Sequence, residues 1–469
     1  MAITDDRSEG AGQAEAEALT EAARDVANDP ANPTRPHAND PYASLRFRDF
    51  RYLIASSSLG TLGEQMLTVA IGWDIYARTQ SALMLGFVGL AQFAPVLALS
   101  LVAGHSADRF DRRVVVMLTQ GVMSLTSLGL ALIALTQGPV ALIFALLALR
   151  GVGEAFNVAA SGALPPQTVP VEAFENAASW SSSSWQLAAV IGPALGGLII
   201  ALHGDATPVY LFDALMGLAS IAMISRIRGR QATQTSEPMS LAELMGGVRF
   251  ILRTKVILAA VTLDMVAVLL GGATTLLPIF ATRILHVGAQ GLGVMVAMPS
   301  IGAICMATYQ AHRPPFRHAG RTLLLAVAGF GAATVVFGFS RWFPLSLAAL
   351  LVLGAMDNIS VVIRKTLLLL RTPDELRGRL SAVNNVFIGA SNQLGGFESG
   401  ALAAAIGPVG AVALGGIGSA LAVAGIARAW PELRTLGRMT AIESDEANQT
   451  GAEAINADGQ PHAAGQSGV

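Results

Sequence analysis

Charge is scarce in this chain. Asp, Glu, Lys and Arg make up only 13% of its 469 residues, against roughly 25% in a soluble domain. So small a share excludes an ordinary water-facing surface. With 53% hydrophobic residues and a mean hydropathy of +0.55, it points to a bilayer as the solvent. Cysteine is nearly missing. The single Cys305 excludes a disulfide within the chain and a cysteine-based metal centre, and it reads as a small buried residue of an apolar segment. A large excess of one charge sign is also missing: the net charge of −2 gives no basis for a nucleic-acid partner. The first forty residues are acidic and Ala/Pro-rich and lack an apolar core, so no signal peptide is expected. No H-E-x-x-H, G-x-S-x-G or P-loop pattern occurs, which argues against an enzyme. No metal and no cofactor are expected.

Apolar runs are abundant, at the length of about 20 residues that crosses a hydrocarbon core. Twelve can be read, at 51–77, 83–104, 114–136, 139–161, 178–202, 207–226, 256–283, 289–311, 321–340, 342–364, 381–405 and 408–428. Arginine and lysine cluster in alternate connections, among them Arg109, Arg112 and Arg113, and later Arg364, Lys365 and Arg371. The opposite connections hold only Arg78, Arg283 and Arg341. The positive-inside rule then predicts an even number of spans with both termini in the cytoplasm. The expected organisation is a disordered cytoplasmic tail at 1–43, a six-helix half at 44–226, a cytoplasmic linker at 227–254, a second six-helix half at 255–430, and a disordered tail at 431–469.

The halves look duplicated. An offset of 203 places Glu154 on Asp357, Pro170 on Pro373, Gly192 on Gly395 and Gly197 on Gly400. Repeated halves enclosing a midplane site describe many secondary transporters.

Between the second and third runs stands "GHSADRFDRR", residues 104–113. It resembles the loop 2–3 signature of the major facilitator superfamily, with Gly104, Asp108, Arg109, Arg112 and Arg113 in matching places. Asp111 stands where that family usually has glycine, a position that a left-handed turn would suit. The resemblance implies an all-α membrane fold of twelve helices in two six-helix halves, and a charged latch on the cytoplasmic side. The other reading of this stretch is a solvated topology loop. The latch would meet the start of span 11, where "TPDE" at 372–375 predicts a capping box with Thr372 as N-cap and Glu375 at N3. Span 5 carries "AAVIGPALGG", which is similar to the helix-5 signature of facilitator antiporters through Gly192, Pro193, Gly196 and Gly197. That likeness implies export rather than uptake.

Span 4 places Arg150, Glu154, Asn157 and Ser161 on one helix face, at spacings of 4, 3 and 4. A charge at mid-membrane costs at least ~2.5–3.5 kcal/mol, so it faces a partner or a wet cavity. Arg150 and Glu154 can pair at i,i+4. Glu64 in span 1, Asp264 in span 7, Asp357 and Arg364 in span 10 and Glu398 in span 11 complete the expected proton-coupling and substrate residues. Asp213 is placed near the outer surface or in packing, outside the site. A carboxylate held away from water can load and release protons near neutrality.

A closer likeness runs through "MDNISVVIRKTLLLLRTPDELRGRL" from residue 356, with "RFRDFRYLIASSSLGTLGEQM" and "LPPQTVPVEAFENA" earlier. These stretches resemble the enterobactin-exporter branch of the superfamily, itself close to bacterial macrolide and multidrug exporters. Over residues 44–430 the resemblance implies a proton-driven, monomeric exporter of the bacterial inner membrane. Its implied substrate is a siderophore such as enterobactin or, as the alternative, a range of drugs. A catecholate would suit Arg150 and Arg364, and a lipophilic cation would suit the acids. An uptake symporter and a non-transport membrane protein are the remaining, weaker readings.

Overall fold

The computed structural model describes residues 40–437 apart from 163, 229–248, 315 and 373. Within these, side chains are described except at 108, 374–379, 381, 382, 385 and 435. The expected tails and most of the expected linker lie outside the described residues.

Every regular element among the described residues is helical. Twelve long helices follow in order: α1 Arg48–Thr79, α2 Ala82–Arg109, α3 Arg112–Thr136, α4 Val140–Ser161, α5 Phe174–His203, α6 Thr207–Ile224, α7 Lys255–Leu270, α8 Gly288–Ala311, α9 Ala319–Phe339, α10 Phe343–Leu370, α11 Asp374–Ile406 and α12 Pro408–Ala429. The starts are marked by residues that tolerate free backbone donors. Asp111 precedes α3, and its carboxylate accepts the Arg113 backbone N–H at 2.9 Å. Asp111 therefore stands in extended backbone as an N-cap, not in a left-handed turn. Proline occupies the first turn of α6, α10 and α12, where its missing N–H costs nothing. Beyond α5 and α11, Gly204 and Gly407 both stand at φ +84°, a conformation that glycine adopts without a Cβ penalty.

Ten of the helices, counting α7 with its continuation to Ile284, are long and apolar enough to cross a membrane. The other two, α1 and α11, are as long but more polar. The physical reason for α1 lies in Arg48, Asp49, Arg51, Glu64, Asp74 and Arg78 along one helix, a load that a helix wrapped by its neighbours can carry.

Packing repeats between the halves. In the first, α2 packs on α4, α3 on α4 and α6, and α1 on α5 and α6. In the second, α8 packs on α10, α9 on α10 and α12, and α7 on α11 and α12. The halves meet along α5–α8 and α2–α11. Gly197 of α5 is so close to α8 that an added Cβ would strike the Ala289 carbonyl and lie 2.8 Å from the Gly293 Cα. Gly400 of α11, 203 positions later, would strike α2 at the Ala82 carbonyl and lie 2.9 Å from the Gly86 Cα. Such close approach requires glycine.

One hydrophobic core draws on both halves. It gathers Met66, Ile71 and Tyr76 of the first half with Leu276, Phe280 and Leu292 of the second. It lies toward the face opposite the termini, called the far face. Toward the face bearing the termini, the four remaining clusters each stay within one half. The bundle is joined at its far face and divided at its terminal face.

The expected span 256–283 is not one continuous helix. α7 ends at Leu270, and a 3-10 turn (Ala273–Leu276), one α-turn (Leu277–Ile279) and a π-turn (Phe280–Ile284) follow. Gly271 and Gly272 interrupt the helix. An added Cβ at Gly271 would lie 2.5 Å from the Phe330 ring, and one at Gly272 would lie 2.6 Å from Ser399 Oγ. Cys305 is also not where its apolar surroundings suggested: it is exposed on α8.

Candidate functional site

Three neighbouring chambers, which share lining residues, lie between and within the halves. The middle one, about 360 Å³, is walled by α1, α2, α4, α7, α8 and α11 and holds Glu64, Gln92, Phe93, Arg150, Glu154 and Gln393. A first-half chamber of about 280 Å³ continues from it through Glu64 to Ser57, Thr61, Gln120, Asn157 and Ser161. A chamber of about 590 Å³, walled mostly by the second half and called the second-half chamber, shares Thr274 and Thr275 with the middle one and is lined also by Trp185 and Gln186 of α5 and by Asp357, Asn358 and Asn392. Volumes of this size suit drug-sized molecules. The broken part of α7 therefore forms the wall between two chambers, as interrupted helices do at transporter sites.

Both mid-membrane arginines are occupied. Arg150 does not pair with Glu154. Its Nη1 donates to Asp213 Oδ2 on α6 at 3.1 Å, to Ser127 Oγ on α3 at 3.0 Å and to the Met123 carbonyl at 3.3 Å. Ser127 Oγ donates in turn to the same carboxylate at 2.5 Å. Arg150 and Asp213 are 4% and 5% exposed, so Asp213 is in packing, as one of the two expectations had it, and is bonded to a chamber arginine. Gly63 of α1 makes room for it: a Cβ there would lie 2.6 Å from Asp213 Oδ1. Burying an arginine and an aspartate in one bundle demands a shared bond. That demand is the signal by which Asp213 could have been found.

Arg364 likewise bonds Asp264 of α7, not Asp357 on its own helix. Both partners are buried. Arg364 is not in a connecting loop, because α10 continues to Leu370. Its Nε has no hydrogen-bond partner among the described residues.

With the arginines committed, the chambers present carboxylates. Glu64 faces both the middle and the first-half chamber, and Glu154 faces the middle one. Asp357 faces the second-half chamber and a small crevice beside Asp264. Asn157 accepts from the Thr119 hydroxyl at 3.3 Å and lines the first-half chamber. Glu398 lies outside these walls. It is half-buried on α11 near the α2 seam and accepts from Ser399 Oγ at 3.4 Å. Of the expected site residues, the structure thus brings Glu64, Arg150, Glu154, Asn157 and Asp357 to the chambers. It sets Asp264 and Arg364 behind them as a pair and leaves Glu398 apart.

The helix-5 residues act through packing. Gly192 and Gly196 face α1 at Gln65 and Met66, while Pro193 and Gly197 face Gly293 of α8. α5 is thereby clamped between the halves. In the 104–113 stretch, Gly104 has open space beside it and Arg109 is exposed. Arg112 donates to the Ala107 carbonyl at 3.2 Å. Arg113 donates to Asp111 and, at 2.7 Å, to the Ile227 carbonyl just beyond α6. The Asp108 side chain lies outside the described residues. The Thr372 hydroxyl is buried without a hydrogen-bond partner among the described residues, and the Glu375 side chain of the expected capping box lies outside them.

At the far face one polar tie crosses the halves. Arg283 Nη2 donates to Gln80 Oε1 at 2.9 Å, and its guanidinium stands 5.7 Å from the Tyr76 ring centroid. Residues 80 and 283 are separated by the repeat offset of 203.

Comparison with known proteins agrees with this architecture. The sequence profile described as transmembrane secretion effector matches residues 39–461. The enterobactin exporter EntS of Citrobacter koseri is 28% identical over 370 residues, covering 78% of this chain and 86% of the relative. The multidrug efflux pump Tap of Mycolicibacterium fortuitum is 28% identical over 368 residues, covering 76% and 89%. In fold, the chain is similar to a bacterial homologue of the human lysosomal transporter Spinster, with a TM-score of 0.65 at 13% identity over 84% of this chain and 99% of that one. It is also similar to the xylose transporter XylE from E. coli, with a TM-score of 0.63 at 12% identity over 84% and 98%.

Proposed function

The chain belongs to the transmembrane secretion effectors of the major facilitator superfamily, and on that premise we propose that it is a proton-coupled exporter of small amphipathic molecules. Both termini face the cytoplasm in this reading, so the divided face of the bundle opens inward and loads substrate from the cytoplasm or the inner leaflet. Export is supported by the two relatives, an enterobactin exporter and a multidrug efflux pump.

The observation that carries the reading is the row of chamber carboxylates without cationic partners. Glu64, Glu154 and Asp357 face the chambers, and the two arginines that could neutralise them are spent on Asp213 and Asp264. A carboxylate in such a place exchanges a proton for a substrate. Protonated, it faces the cavity at little cost; ionised, it attracts a cationic substrate. Exchanged one for one with a monocation, a proton moves no net charge across the membrane, so the pH difference drives the step at ~1.4 kcal/mol per pH unit, roughly tenfold accumulation. At the middle chamber this geometry supports a positively charged amphipath, the multidrug alternative, over a catecholate. The arginines that a catecholate would need are buried and bonded. An enterobactin-like substrate rests on the relative alone.

Inverted membrane vesicles with an acidic lumen test this. A lipophilic cation should enter the lumen as protons leave. Glu154→Gln and Asp357→Asn should each slow that exchange at least tenfold, the usual worth of a positioned proton-transfer group being ~10²–10⁴. Substrate movement that ignores the proton gradient in vesicles containing the protein would overturn the proposal.

A further inference from the structure

The largest of the three chambers, between α5 of the first half and the helices of the second, holds a charge that neither the proton-coupling residues nor the latch explains. Lys365 faces it from α10. The sequence counts this lysine among the positive charges of a cytoplasmic connection, but α10 runs five residues further, to Leu370. Lys365 thus sits on the helix and at the chamber, not in a loop. It makes no ion pair among the described residues. A lysine placed only for topology turns outward, to the lipid–water boundary. This one is exposed, and it lines a partly open chamber of about 590 Å³.

Its surroundings are those of a binding site. Trp185 of α5, 57% exposed, and Phe330 of α9 supply aromatic surface in the same wall. Gln186 and Asn392 supply amides that both donate and accept, and Asn358, whose Oδ1 accepts from Gln310 Nε2 at 3.2 Å, adds an amide donor. Asp357 lies two turns deeper on α10, about 12 Å along the axis at 1.5 Å per residue. The chamber is therefore polarised: carboxylate toward the middle of the molecule, ammonium toward the terminal face, aromatic rings between the flanking helices. The middle chamber differs, because its only lining cation, Arg150, is bonded to Asp213.

We propose that the second-half chamber is a separate substrate subsite that takes an aromatic group bearing an anionic substituent, with Lys365 as the anchor for the anion and Trp185 as the surface for the ring. It rests on the reading of these chambers as a transport path. It adds that the two sides of the path select opposite charges. A zwitterionic amphipath would span both, its cationic end at Glu64 and Glu154 and its acidic end at Lys365. A monocation would use the middle chamber alone.

Binding to the purified full chain in lipid nanodiscs, followed by calorimetry without any proton gradient, tests the subsite apart from the transport reading. The probes are 2-naphthoate and tetraphenylphosphonium. Lys365→Gln should weaken 2-naphthoate roughly tenfold, the worth of one hydrogen bond to a charged group, and leave tetraphenylphosphonium within about twofold. Lys365→Arg should keep 2-naphthoate within about threefold of the parent, which separates lost charge from lost folding. Trp185→Ala should weaken 2-naphthoate and spare the phosphonium. The proposal is overturned if the parent protein does not bind 2-naphthoate at millimolar concentration. It is overturned equally if Lys365→Gln leaves its affinity unchanged, or if both probes lose affinity together. Vesicles that fail to couple substrate to protons would count against the proposed function and leave these affinities as they are.

Discussion

Each half of the molecule buries one arginine–aspartate pair, yet the two pairs are not copies of each other. Under the offset of 203, Arg150 and Asp213 fall on Leu353 and Gly416, while Asp264 and Arg364 fall on Thr61 and Ser161. Where the second half has its ion pair, the first half has two hydroxyl residues on its chamber wall. The backbone contacts behave otherwise. Gly197 and Gly400 are equivalent by the offset and make equivalent contacts with the opposite half. Glu154 and Asp357 are equivalent as well and both face a chamber. The repeat thus preserves the seams and one acid per half, while the remaining charges differ. A transporter built this way has one scaffold and two chemically different walls.

The ion pairs offer the harshest way to break this comparison. Removing one partner of a buried pair strands the other, at about 3–5 kcal/mol. Asp264→Ala should reach that range, because among the described residues the Arg364 guanidinium bonds Asp264 alone. Asp213→Ala should cost less, about 1–3 kcal/mol, because Arg150 keeps Ser127 Oγ and the Met123 carbonyl. Thermal melting in detergent ranks the two. The reverse order would mean that the hydrogen bonds around Arg150 matter less than its charge.

Valine at the seams should have a smaller and symmetric effect. Gly197→Val and Gly400→Val each push a side chain into the backbone of the other half, a strain of about 1–3 kcal/mol. Melting shifts that match within error would support equivalent seams. A large difference would show that one seam bears more of the junction.

The far-face tie should have the smallest effect. Arg283→Gln removes a solvent-exposed hydrogen bond and a ring contact, about 0.5–1 kcal/mol, and should raise the population opened at the far face two- to fivefold. Spin-label distances between the far ends of α1 and α7 measure it. Because residues 80 and 283 are related by the repeat, the swap Gln80→Arg with Arg283→Gln should restore the bond without Tyr76 beneath it. Its population should fall between those of the parent and the single variant.

Much of this was legible in the sequence, for reasons that differ from element to element. Span lengths and the two halves follow from apolar runs and the offset, since a bilayer allows little but helices. The glycines of α5 announced a close approach, although not that Gly192 and Gly196 face α1 while Gly197 faces α8. The charge pairs were illegible, because pairing depends on which helices adjoin and the nearest acid in sequence is not the nearest in space. Glu154 is one turn from Arg150, yet Asp213, on another helix, takes the bond. The break in α7 could have been suspected from Gly271–Gly272 followed by Pro278, but tolerance of both residues in membrane helices hid it. For Lys365 the sequence offered only a topology charge, because its place at a chamber wall depends on which helices adjoin.

One feature at the terminal face bears on how the protein is made. Just ahead of α1, the Pro41 carbonyl accepts from Asn176 Nδ2 at 2.8 Å and from Trp180 Nε1 at 2.9 Å, and Ser44 bonds Asn176 Oδ1. Ser44 and Asn176 are 132 residues apart. At ribosomal speeds of about 5–20 residues per second, the earliest described segment waits roughly 7–26 s for the helix that fastens it. During that interval four helices have already been delivered to the membrane. The segment just ahead of α1 is therefore fastened only once α5 has been made.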